Sequence, residues 1–277
     1  MEKESKNIWL TLLLGVLSLA FLFPIILVVI NAFKSKFFIS LEPFALPNSE
    51  TFVGFENFVK GLSTSGFFMS FLRSVFITVG AVALIVLCTS MISWYLFRVR
   101  NRATRLLYYA FTFSMIVPFQ MVMYTMTYVV GKINFDNIFG IIFVYLGFGA
   151  GLCVFMFTGF LKSIPLSLEE ASTIDGCTPI QTFFLVVFPI LKPTAITVAI
   201  LNAMWIWNDY LLPYLVLGTD QKTVPVAIQI SMQGAYGSSD IGGFMAMLLL
   251  AILPIIVFYL LCQKYIISGV IAGAVKG

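Results

Sequence analysis

Histidine and charged residues are what this sequence lacks most. Its 277 residues include no histidine, and only 10% of them are charged. Without histidine there is no His-based catalytic triad, no histidine metal ligand and no imidazole proton shuttle. The net charge of +4 comes from scattered basic residues, which argues against a nucleic-acid partner.

Cysteine is also too sparse to organise a site. The chain has four cysteines and no C-x-x-C pair. Neither a zinc site nor a disulfide framework is indicated, and we expect no bound metal. The four are Cys88, Cys153, Cys177 and Cys262.

Apolar residues dominate instead. They make up 60% of the chain, and the mean hydropathy is +1.03. A soluble domain usually carries about 25% charged residues, because its surface must meet water. A chain this apolar must be solvated by lipid, and we expect an all-α membrane protein with a single transmembrane domain over residues 1–277.

Six stretches are long enough to cross a bilayer, which requires about 20 mostly apolar residues. The first exceeds the apolar core of a cleavable signal peptide, about 7–15 residues, so we expect it to be retained. We expect Pro24, Pro118 and Pro254 to be tolerated inside their helices. The predicted spans are Ile8–Phe33, Val75–Phe97, Leu106–Val130, Ile138–Leu161, Thr194–Leu215 and Phe244–Cys262.

The basic residues predict the orientation, since short cytosolic loops are enriched in Lys and Arg. With both termini in the cytoplasm, ten of the sixteen basic residues lie inside. Four of the ten form one cluster between spans two and three. The ten are Lys3, Lys6, Arg98, Arg100, Arg102, Arg105, Lys162, Lys192, Lys264 and Lys276. This topology predicts an outer loop at about 34–74 and a cytosolic tail at about 263–277, which its glycines should make flexible.

The cytosolic loop at about 162–193 is predicted to hold two short helices. Ser167 and Glu170 fit an S-x-x-E capping box, and Gly176 stands where a left-handed helix end is expected. Thr178 and Gln181 form a second box, and the second helix is expected to stop before Pro189. From these features alone, the loop could equally be a docking element or a connector lying on the bilayer.

A longer sequence pattern distinguishes the docking element from the bilayer connector. The string Glu170-Ala171-Ser172, then Gly176, then Val186-Val187-Phe188-Pro189 resembles the EAA motif of ABC importer permeases. That motif reads E-A-A-x3-G-x9-I-x-L-P, so Ser172, Val186 and Phe188 are substitutions while the spacing is intact. In the family the motif forms a coupling helix seated in a cleft of a cytosolic ATPase. The resemblance implies that role for Glu170, Ala171, Ser172, Asp175, Gly176 and Pro189.

Other segments are similar to the carbohydrate branch of that family. Trp207-Asn208-Asp209-Tyr210 through Pro213 resembles its W-N-[DE]-[FY]-x-x-P pattern, and the stretch from Gln263 to Gly277 resembles the tail of MalG-like maltose permeases. The resemblance implies import of a carbohydrate, with an oligosaccharide as the expected substrate. It implies a second, homologous permease, a dimer of ATPase subunits and an extracytoplasmic sugar-binding protein.

ATP and Mg²⁺ are expected on the partner ATPase, because this chain contains no Walker A pattern. We therefore expect no cofactor bound by this chain and no catalysis of its own. An ion-coupled carrier would need ionisable groups deep in the bundle, and Asp209 is predicted near the outer interface. An intramembrane enzyme is disfavoured by the missing histidine and the absence of paired buried carboxylates.

Two further groups are weaker candidates. Polar and aromatic side chains on spans three and five are expected along the substrate path, although each could instead serve as an interhelical hydrogen bond or interface anchor. They are Gln120, Tyr124, Tyr128, Asn202 and Asn208. The outer loop containing Gly234, Ala235, Tyr236 and Gly237 is expected to contact the binding protein, by resemblance to MalG-like relatives.

Overall fold

The computed structural model describes residues 8–233 and 240–274, with the backbone alone at 64, 233 and 266–274. Within these ranges the regular elements are helical, which confirms the predicted all-α class. The helices are α1 (Ile8–Ala32), α2 (Lys36–Leu41), α3 (Glu56–Ser65), α4 (Phe67–Arg98), α5 (Arg102–Ser114), α6 (Phe119–Lys132), α7 (Ile138–Leu161), α8 (Ser167–Ile174), α9 (Pro179–Thr182), a π-helical turn (Phe183–Val187), α10 (Phe188–Asn208), α11 (Leu211–Leu217), α12 (Val224–Gln233) and α13 (Ile241–Ala274).

The chain forms two compact units. The first comprises residues 1–68 and 227–254, and the second comprises residues 69–226 and 255–277. The second unit contains the segment that resembles the EAA motif.

In the first unit, a buried asparagine ties the segment after α1 to α3. The side-chain amide of Asn57 donates to the carbonyl oxygens of Ala32 and Lys34, at 2.9 and 2.8 Å. The ring of Phe33 packs nearby against Phe55 and Phe58. The predicted outer loop is therefore an ordered structure, with α2 and α3 inside it.

The second unit is built around α7. Tyr145, Val154, Phe157 and Leu161 on this helix are fully buried. α5, α10 and α11 pack against it. Its bounds match the predicted fourth span, because an uninterrupted apolar run between the cap at Asn137 and the polar Lys162 leaves little choice of ends.

The predicted third span is wrong as a single helix. α5 and α6 meet at an angle of 108° across the break before Pro118. Proline has no N–H to donate and disfavours helical backbone in the residue before it. Pro24 and Pro254, by contrast, lie inside α1 and α13 as expected.

The predicted fifth span is also displaced. The helix does not stop before Pro189 but runs through the π turn and α10 to Asn208. In the π turn, the amide of Phe188 bonds to the carbonyl of Phe183, five residues back. This wider turn makes room for the Pro189 ring, which would otherwise clash with a carbonyl of the preceding turn.

By length and composition, five helices among the described residues could each cross a membrane, or six spans if the bent pair counts as one. The chain is therefore a multi-pass membrane protein.

The predicted flexible tail is wrong for most of its length, because α13 continues through Gly269 and Gly273 to Ala274. Glycine costs only about 1 kcal/mol in a helix, too little to end a long apolar one.

We predict that Gly140→Ala destabilises the second unit while Gly147→Ala, on the same helix, does not. A Cβ at Gly140 would fall on the backbone of Phe135, whereas one at Gly147 meets nothing within 4 Å. Overpacking against rigid backbone costs about 1–3 kcal/mol. Thermal unfolding of the purified proteins in detergent measures the difference. Equal melting temperatures for the two variants would show that the start of α7 is not close-packed.

Candidate functional site

The segment that resembles the EAA motif forms α8 and the turn after it. α8 runs from Ser167 to Ile174, within the loop predicted to hold two short helices. It ends in a Schellman motif, in which the Cys177 amide bonds to the Ser172 carbonyl and the Gly176 amide bonds to that of Thr173. Gly176 has φ +84°, as its position predicted.

The predicted capping box at Ser167 and Glu170 is wrong. Leu166 is the N-cap, and no side chain caps the helix. Because Leu166 already has right-handed helical backbone, Ser167 lies inside the first turn, where its hydroxyl is not placed as a cap. The second box is confirmed, with Thr178 and Gln181 bonded reciprocally and Pro179 following the cap.

One edge of α8 is buried against other parts of the second unit. The hydroxyl of Ser172, which replaces the second alanine of the motif, donates to the Glu169 carbonyl at 2.8 Å and lies 2.9 Å from the hydroxyl of Thr182. Glu169 is 7% exposed. Its carboxylate accepts hydrogen bonds from Arg98 at 2.6 and 2.9 Å and from the Trp94 indole at 3.0 Å.

This buried acidic residue was missed by the sequence prediction, which assigned a role only to Glu170. The signal in the sequence was the pair of adjacent acidic residues following a span that ends in Arg98. Adjacent helical residues point about 100° apart. One of the two could therefore face the arginine while the other, Glu170, is exposed.

A neighbouring edge of α8 is apolar and exposed within the chain. Leu168 is 44% exposed and Ile174 is 86% exposed, with Ala171 exposed between them. Their three-residue spacing places them on a shared face of the helix. Asp175, Gly176 and Pro189 are also exposed.

The candidate substrate-path residues do not form one cluster. Gln120, Tyr124 and Tyr128 follow one another at four-residue spacing on α6 and are exposed. Asn208 is exposed at the end of α10, where its amide donates to the Met204 carbonyl at 2.7 Å. Asn202 is buried, and its amide donates to the Val198 carbonyl and lies 3.2 Å from the Cys153 sulfur. That geometry favours an interhelical hydrogen bond for Asn202.

Asp209 lies where α10 ends, at a position inside the predicted fifth span. Its backbone leaves the helical conformation, and one carboxylate oxygen accepts from the amides of Leu211 and Leu212, at 3.0 and 3.3 Å. The other accepts from the Tyr145 hydroxyl at 3.2 Å. The carboxylate therefore satisfies the first amides of α11 and ties them to α7.

The predicted binding-protein loop from Gly234 to Gly237 lies outside the described residues.

Comparison with known proteins identifies relatives of the whole chain. Residues 86–271 match the model of the family described as "Binding-protein-dependent transport system inner membrane component". The "Probable starch degradation products transport system permease protein AmyC" of Thermoanaerobacterium thermosulfurigenes is 38% identical over 100% of both chains. The "Multiple sugar-binding transport system permease protein MsmG" of Streptococcus mutans is 35% identical, again over 100% of both.

A solved structure shares the fold. It is that of a bacterial ABC transporter involved in the import of the acidic polysaccharide alginate. One of its chains matches with a TM-score of 0.76 and 23% sequence identity, covering 96% of this chain and 99% of that one.

We predict that Asp209→Asn leaves stability nearly unchanged, while Asp209→Ala lowers it by about 1 kcal/mol, as expected for a lost helix cap. Asparagine keeps an oxygen that can accept from Leu211 and Leu212, and alanine does not. Melting temperatures in detergent measure both. Equal losses in the two variants would show that the negative charge, and not the hydrogen bonds, stabilises this helix end.

Proposed function

Because this chain belongs to the family of binding-protein-dependent transport system inner membrane components, we propose that it forms half of the sugar path in an ATP-driven importer. It is a transport subunit and not an enzyme. The other half of the path would be a second, homologous permease. An extracytoplasmic binding protein would deliver the sugar, and a dimer of cytosolic ATPase subunits would bind ATP and Mg²⁺.

The exposed apolar edge of α8 is the observation that carries this proposal. Leu168, Ala171 and Ile174 form a narrow ridge, while Glu169 and Ser172 on the other edge are held by hydrogen bonds. A helix fixed on one edge and apolar on the other is suited to fill a groove in a partner. The partner would be the ATPase, since this is the segment whose spacing resembles the coupling motif.

The names of the relatives support a carbohydrate as the substrate. They refer to starch degradation products, to multiple sugars, and to melibiose, raffinose and stachyose. Most of these are oligosaccharides, so the proposed substrate class is an oligosaccharide. The exposed face of α6 bearing Gln120, Tyr124 and Tyr128 offers amide and aromatic groups of the kind that line sugar sites.

We also propose that both termini lie in the cytoplasm of a bacterial cell, with α8 on the same side. The ten-to-six distribution of basic residues supports this orientation. The loop from Gly234 to Gly237 would then face the binding protein. The C-terminal part of α13 would reach towards the ATPase as a helix.

We predict that Ala171→Trp and Gly176→Val abolish both sugar uptake and copurification of the ATPase, with membrane insertion intact. A tryptophan at Ala171 would hold the ridge away from a close-fitting groove. A β-branched residue at Gly176 cannot readily adopt φ +84°, so it would misdirect α9. Uptake by cells and copurification from detergent are the two measurements.

Matched controls separate docking from bulk and backbone effects. Gly176→Asn should retain function, because asparagine tolerates positive φ. Leu185→Trp adds similar bulk at an exposed position on the π turn, 67% exposed, and should also retain function. Wild-type uptake in both Ala171→Trp and Gly176→Val would leave α8 as a connector and contradict the proposal.

A separate prediction concerns α6. If its exposed tyrosines stack on sugar rings, Tyr124→Ala should raise the sugar concentration needed for half-maximal uptake about tenfold, which corresponds to one lost stacking contact of about 1.4 kcal/mol. Tyr109→Ala on α5, also exposed, is the control and should behave as wild type. Equal behaviour of the two variants would place the sugar contact elsewhere, including on the partner permease.

A further inference from the structure

Three hydrogen bonds join α4 to α8 among the described residues, and all three end on the carboxylate of Glu169. Trp94 donates from its indole nitrogen to Oε2, and Arg98 donates from Nε and Nη2 to Oε1. Nη2 of Arg98 also donates to the carbonyl of Ile164 at 3.1 Å, in the segment that leads into α8. One end of α4 is therefore bonded both to α8 and to the chain before it.

Elsewhere, the space between these two helices is largely open. A cavity of about 620 Å³ lies there, with Trp94 and Tyr95 of α4 and the following Val99 on one side and Leu166, Thr173 and Ile174 on the other. Where the cavity lies, the side chains of the two helices do not pack closely, so the polar contacts of Glu169 are a direct connection between α4 and α8.

These contacts are partly removed from water. The Arg98 side chain is 19% exposed and that of Glu169 is 9% exposed. Charge-assisted hydrogen bonds of this kind are strong and directional. Removal of one partner leaves the other charge buried without compensation. The pair therefore holds its geometry more firmly than a surface ion pair would.

Trp94 extends the connection to a third element. Its ring packs against Phe183, at 5.6 Å between ring centroids, and Phe183 is the first residue of the π turn. Trp94, itself on α4, thus contacts both Glu169 on α8 and Phe183, at the start of the helix that continues through α10. α4 itself runs for 32 residues without a proline, so a displacement of its Arg98 end is transmitted along an unbroken helix.

We propose that Glu169, Arg98 and Trp94 form a positioning clamp that transmits movement of α8 to α4. The proposal rests on the function proposed above, in which α8 receives its movement from an ATPase. Glu169 acts on transport through Arg98 and Trp94, without contact to ATP or sugar. Glu170, exposed on the neighbouring edge, is no part of the clamp.

The test measures ATP hydrolysed per sugar transported, in vesicles that contain the complete importer with its ATPase and binding protein. Glu169→Gln removes the charge while preserving size and one acceptor oxygen. We expect it to retain the ATPase and to raise the ratio about fivefold, the size expected for a lost coupling of about 1 kcal/mol. Arg98→Lys keeps the charge but loses the forked geometry, so it should give an intermediate ratio. Arg105→Lys, at an exposed arginine on α5, is the matched control for Arg98→Lys and should give the wild-type ratio.

Trp94→Phe keeps a ring against Phe183 and removes only the N–H donor. It should raise the ratio about twofold, a smaller loss of coupling than that expected for Glu169→Gln. Trp94→Phe is also the variant that tests the clamp if Glu169→Gln fails to insert. A wild-type ratio of ATP hydrolysed to sugar transported in Glu169→Gln would overturn the clamp. If Glu169→Gln fails to insert, a wild-type ratio in Trp94→Phe would overturn it instead. Loss of ATPase copurification in an inserted Glu169→Gln protein would also overturn it, because Glu169 would then shape the docking surface. If the wild-type chain itself copurifies with no ATPase, the proposed function fails, and the clamp fails with it.

Discussion

The need to satisfy every backbone polar group without water governs this structure. In a bilayer an unpaired amide or carbonyl costs several kcal/mol, so a helix can be interrupted only where another group takes up the freed bonds. The interruptions at Asp209 and in the π turn follow that rule, and the turn at Gly176, in the predicted cytosolic loop, also pairs its backbone groups. The Asp209 carboxylate accepts from the first amides of α11, and the Schellman motif at Gly176 satisfies the last carbonyls of α8. In the π turn the Phe188 amide bonds five residues back instead of four.

These interruptions place the functional surfaces. The turn at Gly176 separates α8 from α9, so that α8 leaves the line of the long helix and its apolar edge is exposed. The π turn then lets one helix continue past Pro189 from the surface segment to Asn208. On the function proposed above, a movement received at α8 has two routes into the rest of the second unit. One passes along the chain through the π turn, and the other passes across the cavity through Glu169.

Sequence reasoning succeeded where local chemistry decides the outcome. The ends of α7, the positive φ of Gly176 and the capping box at Thr178 each depend on a few adjacent residues. It failed where two local structures compete, or where residues distant in the sequence determine the outcome. Ser167 could have been a cap, but Leu166 had already entered the helix. Pro118 was expected to be tolerated, and whether a proline bends a helix or breaks it depends on the packing around it.

Glu169 shows most clearly why the remaining part of the candidate site could not be predicted from the sequence. Glu169 and Glu170 are adjacent and chemically equivalent, and only the fold decides which of them meets Arg98, 71 residues earlier in the chain. Burial then makes the two carboxylates different in kind. For the stability of the fold, the exposed one can be neutralised at little cost, since water screens it. The buried one is fixed by three hydrogen bonds from two residues, so the orientation of α8 and its apolar residues depends on an ion pair within the chain. In the two proposals, docking uses the exposed apolar residues of this eight-residue helix and transmission uses its buried Glu169, so the position of the first depends on the hydrogen bonds of the second.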